Sequence, residues 1–131
     1  MSRPALDAGV AGLIVSNHGG RQLDTTASTI SVLPGIAAAL AGRGPLLIDS
    51  GFRRGTDVLK ALILGADMVL LGRPLLWALA VGGTVGVGAM VEKLGTELRV
   101  AMQLAGCATI SGLRENAGAI LQALRIGRST P

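Results

Sequence analysis

Histidine occurs once in this 131-residue chain, as His18, within the sequence Ser-Asn-His-Gly-Gly-Arg over residues 16–21. An imidazole exchanges its proton near neutral pH, so His18 could act as a general base. The planar guanidinium of Arg21 matches the two oxygens of a carboxylate. The glycines between them leave room for a flat ligand to approach the backbone. The spacing favours a base beside a carboxylate-binding arginine over a structural histidine with a surface arginine.

Two further loops combine glycine with arginine, one over residues 49–55 and the other over residues 72–73. Backbone N–H groups near a helix start, together with Arg53 or Arg54, would bind an anion. Two adjacent loops of this kind predict a site for one phosphate group rather than unrelated surface arginines. Asp49 opposes that charge balance, so we expect it to accept hydrogen bonds from ligand hydroxyls instead.

Three short apolar runs lead into these loops: Ala11–Val15, Leu46–Ile48 and Met68–Leu71. Each run is apolar throughout rather than alternating, which is typical of a strand buried on both faces. Each ends in polar or glycine residues. The candidate chemistry therefore lies at the carboxyl end of each predicted strand.

Helical spacing of apolar residues separates the predicted strands. We expect Thr56 to cap the helix that begins there and Gly65 to end it. A glycine-rich loop is expected around residues 81–86, and Trp77 is expected to pack between helices. The predicted helices cover Pro4–Ala8, Ile30–Ala41, Thr56–Leu64, Leu75–Ala80 and Val87–Ala105.

Repeated βα units predict a parallel sheet with right-handed crossovers. A doubly wound sheet and a (β/α)8 barrel both place ligands at the carboxyl ends of their strands. A barrel commonly binds phosphate with the loops after its last two strands and a short extra helix. The short helix predicted at residues 75–80 fits that arrangement. We therefore favour an α/β fold that is part of a (β/α)8 TIM barrel, approximately its last three βα units.

Composition excludes several classes of protein. Hydrophobic residues make up 50% and charged residues 15% of the chain, which is too apolar for a disordered segment. Aromatic residues are only 2%, too few to stack on nucleic acid bases, and the net charge of +4 comes with scattered arginines. We expect no nucleic acid partner. One histidine and one cysteine are too few for a zinc site, so no metal is expected.

The amino terminus lacks the apolar segment of a signal peptide. The uncharged stretch from Pro74 to Val91 is interrupted by glycines, so we expect no transmembrane segment. The single cysteine, Cys107, is expected to be small and buried, and its lack of a partner fits a reducing compartment. These features predict a soluble, cytoplasmic protein.

Three segments, over residues 16–24, 49–62 and 71–74, strongly resemble the FMN-dependent 2-hydroxy-acid dehydrogenases and oxidases, a family that includes glycolate oxidase, L-lactate dehydrogenase and mandelate dehydrogenase. The resemblance covers about residues 5–111. It implies a (β/α)8 barrel with FMN at its mouth and oxidation of a small 2-hydroxy acid to the 2-keto acid. It also implies O2, a quinone or a cytochrome as electron acceptor, and homo-oligomers among full-length relatives.

The resemblance also assigns roles to residues. It implies that His18 removes a proton from the substrate, that Arg21 binds the substrate carboxylate and that Ser16 contacts the flavin ring. The loop after the second strand would hold the ribityl chain and phosphate, and the pair after the third strand would complete the phosphate site. The implied FMN-binding residues are Ser16, Asp49, Ser50, Gly51, Phe52, Arg53, Gly72 and Arg73.

The sequence departs from the family pattern in three respects. Residues 25–28 replace the usual Gly and Pro, and Phe52 replaces the usual Val or Ile, which could alter substrate preference. A family barrel has about eight βα units, whereas three are predicted here. The flavin-contacting lysine and the tyrosines of the earlier units have no counterpart. We expect residues 1–131 to be the C-terminal part of an FMN-binding barrel domain, incomplete and inactive alone.

Two alternatives remain open. One is a different FMN-binding barrel, similar to IMP dehydrogenase or to type 2 isopentenyl-diphosphate isomerase, against which the pair of His18 and Arg21 argues. The other is a non-catalytic, phosphate-binding half-barrel that dimerises.

Overall fold

The computed structural model of the chain describes residues 7–126. Short strands alternate with helices, as the apolar spacing predicts, and a 3₁₀ turn at His18–Gly20 follows the first strand. The strands are β1 (Leu13–Val15), β2 (Leu46–Ile48) and β3 (Met68–Val69). The helices are α1 (Thr29–Leu40), α2 (Gly55–Ile63), α3 (Arg73–Leu104), α4 (Ile110–Glu115) and α5 (Ala117–Ile126).

The three strands form one parallel sheet in the order β1-β2-β3. Ile14 pairs with Leu47, which in turn pairs with Met68. Consecutive parallel strands joined by right-handed crossovers carry their helices on one side of the sheet. A doubly wound sheet instead reverses its strand order at a switch point. The observed order agrees with the predicted α/β class and with a segment of a barrel.

The two faces of the sheet differ in burial. On one face Val15, Leu46 and Ile48 are buried, in a core that includes Leu33 and Leu40 of α1. On the other face lies the row of Ile14, Leu47 and Met68, where Ile14 and Met68 are 58% and 57% exposed. The prediction that each strand is buried on both faces is therefore wrong for the described residues. This apolar row remains available to pack against other elements.

A second apolar cluster joins α2 to the helices that follow it. Its buried members are Leu62, Ile63, Met102, Cys107 and Leu113, so the predicted burial of Cys107 is confirmed. Helix α2 therefore packs on the later helices through this cluster, and on the sheet through Ala61 in the first cluster. Sequence spacing did not reveal α4 and α5.

Several predicted boundaries shift by a residue or two, as is common at element ends. β1 begins two residues later than predicted, at Leu13, and β3 ends two residues earlier, at Val69. The residue before α2 is Arg54, so Thr56 lies inside the helix rather than capping it. Gly65 follows the end of α2 with φ +108°, in agreement with its predicted role. The helix predicted at Pro4–Ala8 lies mostly outside the described residues.

The predicted short helix, glycine-rich loop and long helix are one helical element, α3, with a single break. Gly83 has φ +57° and ψ −147°, which no helix can accommodate. Gly86 lies so close to Ala78 that a Cβ atom added to Gly86 would overlap the carbonyl oxygen of Ala78. In a straight helix, two residues eight positions apart would be separated by about 12 Å along the axis. The chain therefore bends sharply at Gly83, and the loop shrinks to one residue.

By length and composition, α3 could cross a membrane, with a mean hydropathy of 1.7 over its most apolar window. The break at Gly83 divides it, however. The part before the break is too short to span about 30 Å of hydrocarbon, and the part after it contains Glu92, Lys93, Glu97 and Arg99. The break at Gly83 and these charges distinguish α3 from a continuous apolar span.

Candidate functional site

The carboxyl ends of the three strands meet around one cavity of about 230 Å³. It is lined by the 3₁₀ turn after β1, by the loop between β2 and α2, and by the loop between β3 and α3. All the implied substrate- and FMN-binding residues except Ser16 line it: His18, Arg21, Asp49, Ser50, Gly51, Phe52, Arg53, Gly72 and Arg73. Arg54, the alternative to Arg53 for binding an anion, does not line it. The sheet thus brings together residues up to 55 positions apart in the sequence.

The turn that carries His18 has a left-handed backbone. His18, Gly19 and Gly20 have φ values of +54°, +69° and +73°. Glycine adopts this region freely, but for His18 the Cβ atom makes it costly. The His18 N–H donates to Ser16 Oγ at 3.2 Å, and the Gly19 N–H donates to Asn17 Oδ1 at 3.0 Å. The imidazole is exposed at the mouth of the cavity.

Asp49 lies at the end of β2, and its carboxylate faces the β1 turn. Its two oxygens accept hydrogen bonds from Ser16 Oγ at 3.0 Å and from Ser50 Oγ at 2.7 Å. Ser16 does not line the cavity itself, but its hydroxyl is hydrogen-bonded to a residue that does. The carbonyl oxygen of Asp49 accepts from the hydroxyl of Thr29 at 2.7 Å. The first residue of α1 therefore anchors the backbone of the loop after β2.

Of the three arginines that line the cavity, Arg53 and Arg73 have different partners. The Arg53 guanidinium lies 5.0 Å from the centroid of the Trp77 ring, a cation–π distance. Trp77 is 49% exposed, so the expectation that it packs between helices is wrong. Arg73 Nη2 donates to the carbonyl oxygen of Gly19 at 3.0 Å. Arg53 and Arg73 line the same cavity as Arg21, and this concentration of positive charge favours an anion there.

The backbone N–H groups immediately before α2 and at its first residue already have carboxylate partners. Those of Arg53 and Arg54 each donate to Asp57 Oδ2 at 3.1 Å, and that of Gly55 donates to Glu97 Oε2 at 2.8 Å. These three donors are satisfied within the chain and are not available to a ligand, so the contribution of the helix start to anion binding stays a prediction for the N–H groups beyond them. The side chains of Arg53 and Arg73 and the two glycine-containing loops are left to hold an anion.

A second cavity, of about 390 Å³, adjoins the first and extends toward the starts of α1 and α2, where it reaches Lys60. Both cavities share Gly19, Gly51 and Phe52 in their walls. Phe52 is only 6% exposed and belongs to the core cluster beneath the sheet. Phe52, which replaces the usual Val or Ile, thus contributes to the walls of both cavities while its side chain belongs to the core.

Three residues hold the backbone of the site loops by hydrogen bonds, and the sequence analysis did not identify them. Asp57 stands at the third position of α2, a spacing typical of a capping residue, which could have identified it. Thr29 directly precedes an apolar helical pattern, but its partner is 20 residues away. Glu97 contacts Gly55 across 42 residues, and no local signal marks that contact.

Comparison with known proteins places these features in context. A family model described as FMN-dependent dehydrogenase matches residues 2–119. An L-lactate oxidase from Lactobacillus jensenii is 51% identical over 84% of the chain, and a 2-hydroxyacid oxidase from Dictyostelium discoideum is 54% identical over 86% of it. The chain spans 27% and 29% of the lengths of these two relatives.

Solved structures show the same relation. A lactate oxidase from Pediococcus acidilactici superposes with a TM-score of 0.85 at 50% identity, over 87% of this chain and 32% of that one. A mandelate oxidase variant with a monooxide FMN adduct superposes with a TM-score of 0.83 at 51% identity, over 86% of this chain and 36% of its own. These neighbours are TIM barrels, so the predicted partial (β/α)8 fold is confirmed.

Proposed function

We propose, since this chain belongs to the FMN-dependent dehydrogenase family, that it supplies the base, the carboxylate-binding arginine and the phosphate end of an FMN-dependent 2-hydroxy-acid oxidase. Residues 1–131 would form the C-terminal part of the barrel domain of that enzyme. The observation that carries the proposal is the meeting of His18 and Arg21 with Arg53 and Arg73 around one cavity. The relatives that match over this segment are named as lactate and 2-hydroxyacid oxidases.

The residues present fit FMN. Arg53 and Arg73 provide the charge that a phosphate needs, and a Cβ atom built on Gly51 or Gly72 would meet only open space. Their bare backbone lets a ligand approach closely. The carboxylate of Asp49 has lone pairs beyond those used by Ser16 and Ser50, so it can also accept ribityl hydroxyls.

Bound FMN would supply a two-electron acceptor, so that a 2-hydroxy acid leaves as the 2-keto acid. The chain's own residues would bind and deprotonate that acid. The guanidinium of Arg21 would hold the substrate carboxylate by two parallel hydrogen bonds. The imidazole of His18 would take the proton that the substrate loses, because His18 lines the same cavity as Arg21 and imidazole is the most common general base in enzymes.

The electron acceptor proposed here is O2, because the named relatives are oxidases. A quinone or cytochrome acceptor, homo-oligomer formation and a cytoplasmic location remain predictions from the sequence. A soluble enzyme agrees with the bend that divides α3 at Gly83.

A chimera tests the proposal: residues 1–131 replace the matching C-terminal segment of the lactate oxidase from Lactobacillus jensenii. We expect the purified chimera to retain FMN and its flavin absorbance to bleach when L-lactate, glycolate or (S)-mandelate is added without oxygen. Retained FMN that none of these acids bleaches would contradict the proposal and favour a different FMN barrel. If the 131-residue chain instead forms a stable phosphate-binding homodimer that does not assemble with the N-terminal segment, the half-barrel alternative is favoured.

A further inference from the structure

A hydrogen-bond network centred on Asp49 ends on two backbone N–H groups of the turn that carries His18. Ser16 Oγ and Ser50 Oγ each donate to one oxygen of the Asp49 carboxylate, at 3.0 Å and 2.7 Å. Ser16 Oγ accepts the His18 N–H at 3.2 Å, and Ser50 Oγ accepts the Gly19 N–H at 3.1 Å. One carboxylate thus reaches both amides through two serines.

The carboxylate determines the direction of the network. A serine hydroxyl has one proton and two lone pairs, and an ionised carboxylate can only accept. Because Asp49 takes the proton of each hydroxyl, both serines must present lone pairs to the turn. An uncharged amide at position 49 could accept from one serine but would have to donate to the other.

The network holds an unfavourable backbone. His18 at φ +54° and Ser50 at φ +72° are both non-glycine residues in the left-handed region. Such residues persist where their surroundings over-determine the conformation. Glycine at position 50 would relieve the strain but has no hydroxyl to accept from Gly19. The serine therefore adds a contact that the backbone conformation alone does not require.

Asp49 is itself anchored. The hydroxyl of Thr29, which is 3% exposed, donates to the Asp49 carbonyl oxygen at 2.7 Å. Asp49 continues directly from β2, and its N–H donates to the carbonyl oxygen of Val15 at 3.0 Å. Because both the N–H and the carbonyl oxygen of Asp49 are hydrogen-bonded, its backbone is held in place. Its carboxylate can therefore hold the two serines, and through them the turn, in a fixed position.

We propose that Asp49 is a positioning residue for His18, acting through the hydroxyls of Ser16 and Ser50. This rests on the proposed role of His18 as the base. It goes beyond the expected contacts of these three residues with FMN, because the network acts on the backbone of the turn. The imidazole then starts from a fixed backbone rather than from a mobile glycine-rich loop.

Hydrogen–deuterium exchange at residues 16–22 tests the positioning separately from catalysis. In the 131-residue chain and in the FMN-loaded chimera, Ser16→Ala and Asp49→Asn should speed exchange of the His18 amide about 3- to 10-fold, the equilibrium equivalent of one hydrogen bond. Ser31→Ala is the matched control, because that hydroxyl donates to Ser28 outside the network. Exchange equal to that of the Ser31→Ala protein in both variants would overturn the proposal.

Two further measurements separate positioning from cofactor contact. In the chimera, Ser16→Ala and Asp49→Asn should lower kcat by about 10- to 100-fold at full FMN occupancy, with KM changed far less, as expected for misplacement of a reacting group. If these variants lose FMN while amide exchange at the turn is unchanged, Ser16 and Asp49 only contact the cofactor, and the proposal is overturned. Should the wild-type chimera bleach with no 2-hydroxy acid, the proposed function fails, while the exchange rates still decide whether Asp49 holds the turn.

Two substitutions at position 50 separate the effect of the Ser50 hydroxyl from the effect of the strained backbone there. Ser50→Gly removes both the hydroxyl and the strain, whereas Ser50→Ala removes only the hydroxyl. We expect Ser50→Gly to unfold at a higher temperature than Ser50→Ala, yet to show the same loss of kcat. Wild-type kcat in the Ser50→Gly chimera would contradict the role of the hydroxyl.

Discussion

Arg73 Nη2 donates a hydrogen bond of 3.0 Å to the carbonyl oxygen of Gly19, and this joins the loop after β3 to the turn after β1. β2 lies between those two strands in the sheet, so the bond links loops of strands that are not neighbours. Arg73 is also one of the two guanidiniums available to a phosphate in the cavity. The proposed phosphate end of the site and the turn that carries His18 therefore share one side chain.

Alanine substitutions at the two glycines of the turn test this link. A Cβ atom on Gly19 would lie 2.6 Å from Arg73 Nη2, whereas one on Gly20 would meet nothing within 4 Å. Both positions have positive φ, so each substitution should cost about 1–2 kcal/mol of stability. Only Gly19→Ala should displace Arg73 and also weaken FMN binding, by several-fold in a titration of the chimera. Equal FMN affinities in the two variants would argue against the link.

The proposed carboxylate contact of Arg21 predicts a selective effect on substrate binding. Arg21→Lys keeps the charge but replaces a planar fork by a point charge. We expect the KM for a 2-hydroxy acid to rise about tenfold or more in the chimera, since charge-assisted bidentate bonds are among the stronger hydrogen bonds. Arg99→Lys, on the exposed side of α3, is the control and should leave KM unchanged. An unchanged KM in Arg21→Lys would remove Arg21 from the substrate site.

The bare apolar row of the sheet predicts opposite effects in the isolated chain and in the complete barrel. Ile14→Glu should reduce self-association of the 131-residue chain, as measured by sedimentation, because Ile14 is 58% exposed there. In the chimera the same charge would be buried without a partner and should prevent folding. Val32→Glu, on an exposed part of α1, should be tolerated in both. A folded, FMN-loaded Ile14→Glu chimera would show that this face is not interior.

The contact of α2 with α3 predicts a strong effect at Gly55. A Cβ atom there would overlap the backbone of Glu97 and Leu98, which cannot move aside as a flexible side chain can. Gly55→Ala should therefore destabilise the protein by about 1–3 kcal/mol. Gly95→Ala, within α3 and facing open space, should instead stabilise it by about 0.5–1 kcal/mol. Denaturant unfolding distinguishes them, and equal midpoints would contradict the packing described.

The assembly of the site was predictable because parallel strands bring their carboxyl ends to one edge of a sheet. Three apolar runs followed by polar loops were therefore enough to place His18, Asp49 and Arg73 together. The element types between them follow from the spacing of apolar residues. The same pattern could not reveal that only one face of the sheet is covered within the described residues, since a run of apolar residues looks alike in either case.

Other features depend on partners that are distant in sequence. The segment of residues 82–88 has several glycines, and nothing local indicates that Gly83 alone takes the positive φ of the break. The N–H groups at the start of α2 resemble an anion site until Glu97, far along α3, is seen to accept from Gly55. Long-range hydrogen bonds of this kind decide which donors remain for a ligand.

The most direct test of the central claim is the rate of anaerobic flavin reduction by a 2-hydroxy acid in the chimera, compared between the wild-type sequence and His18→Gln. Glutamine keeps a polar side chain at the cavity mouth but cannot accept the substrate proton as imidazole does. We expect FMN to stay bound in both proteins and the rate of flavin bleaching to fall by about 10²- to 10⁴-fold in His18→Gln. Bleaching of the His18→Gln protein at the wild-type rate would contradict the assignment of His18 as the base.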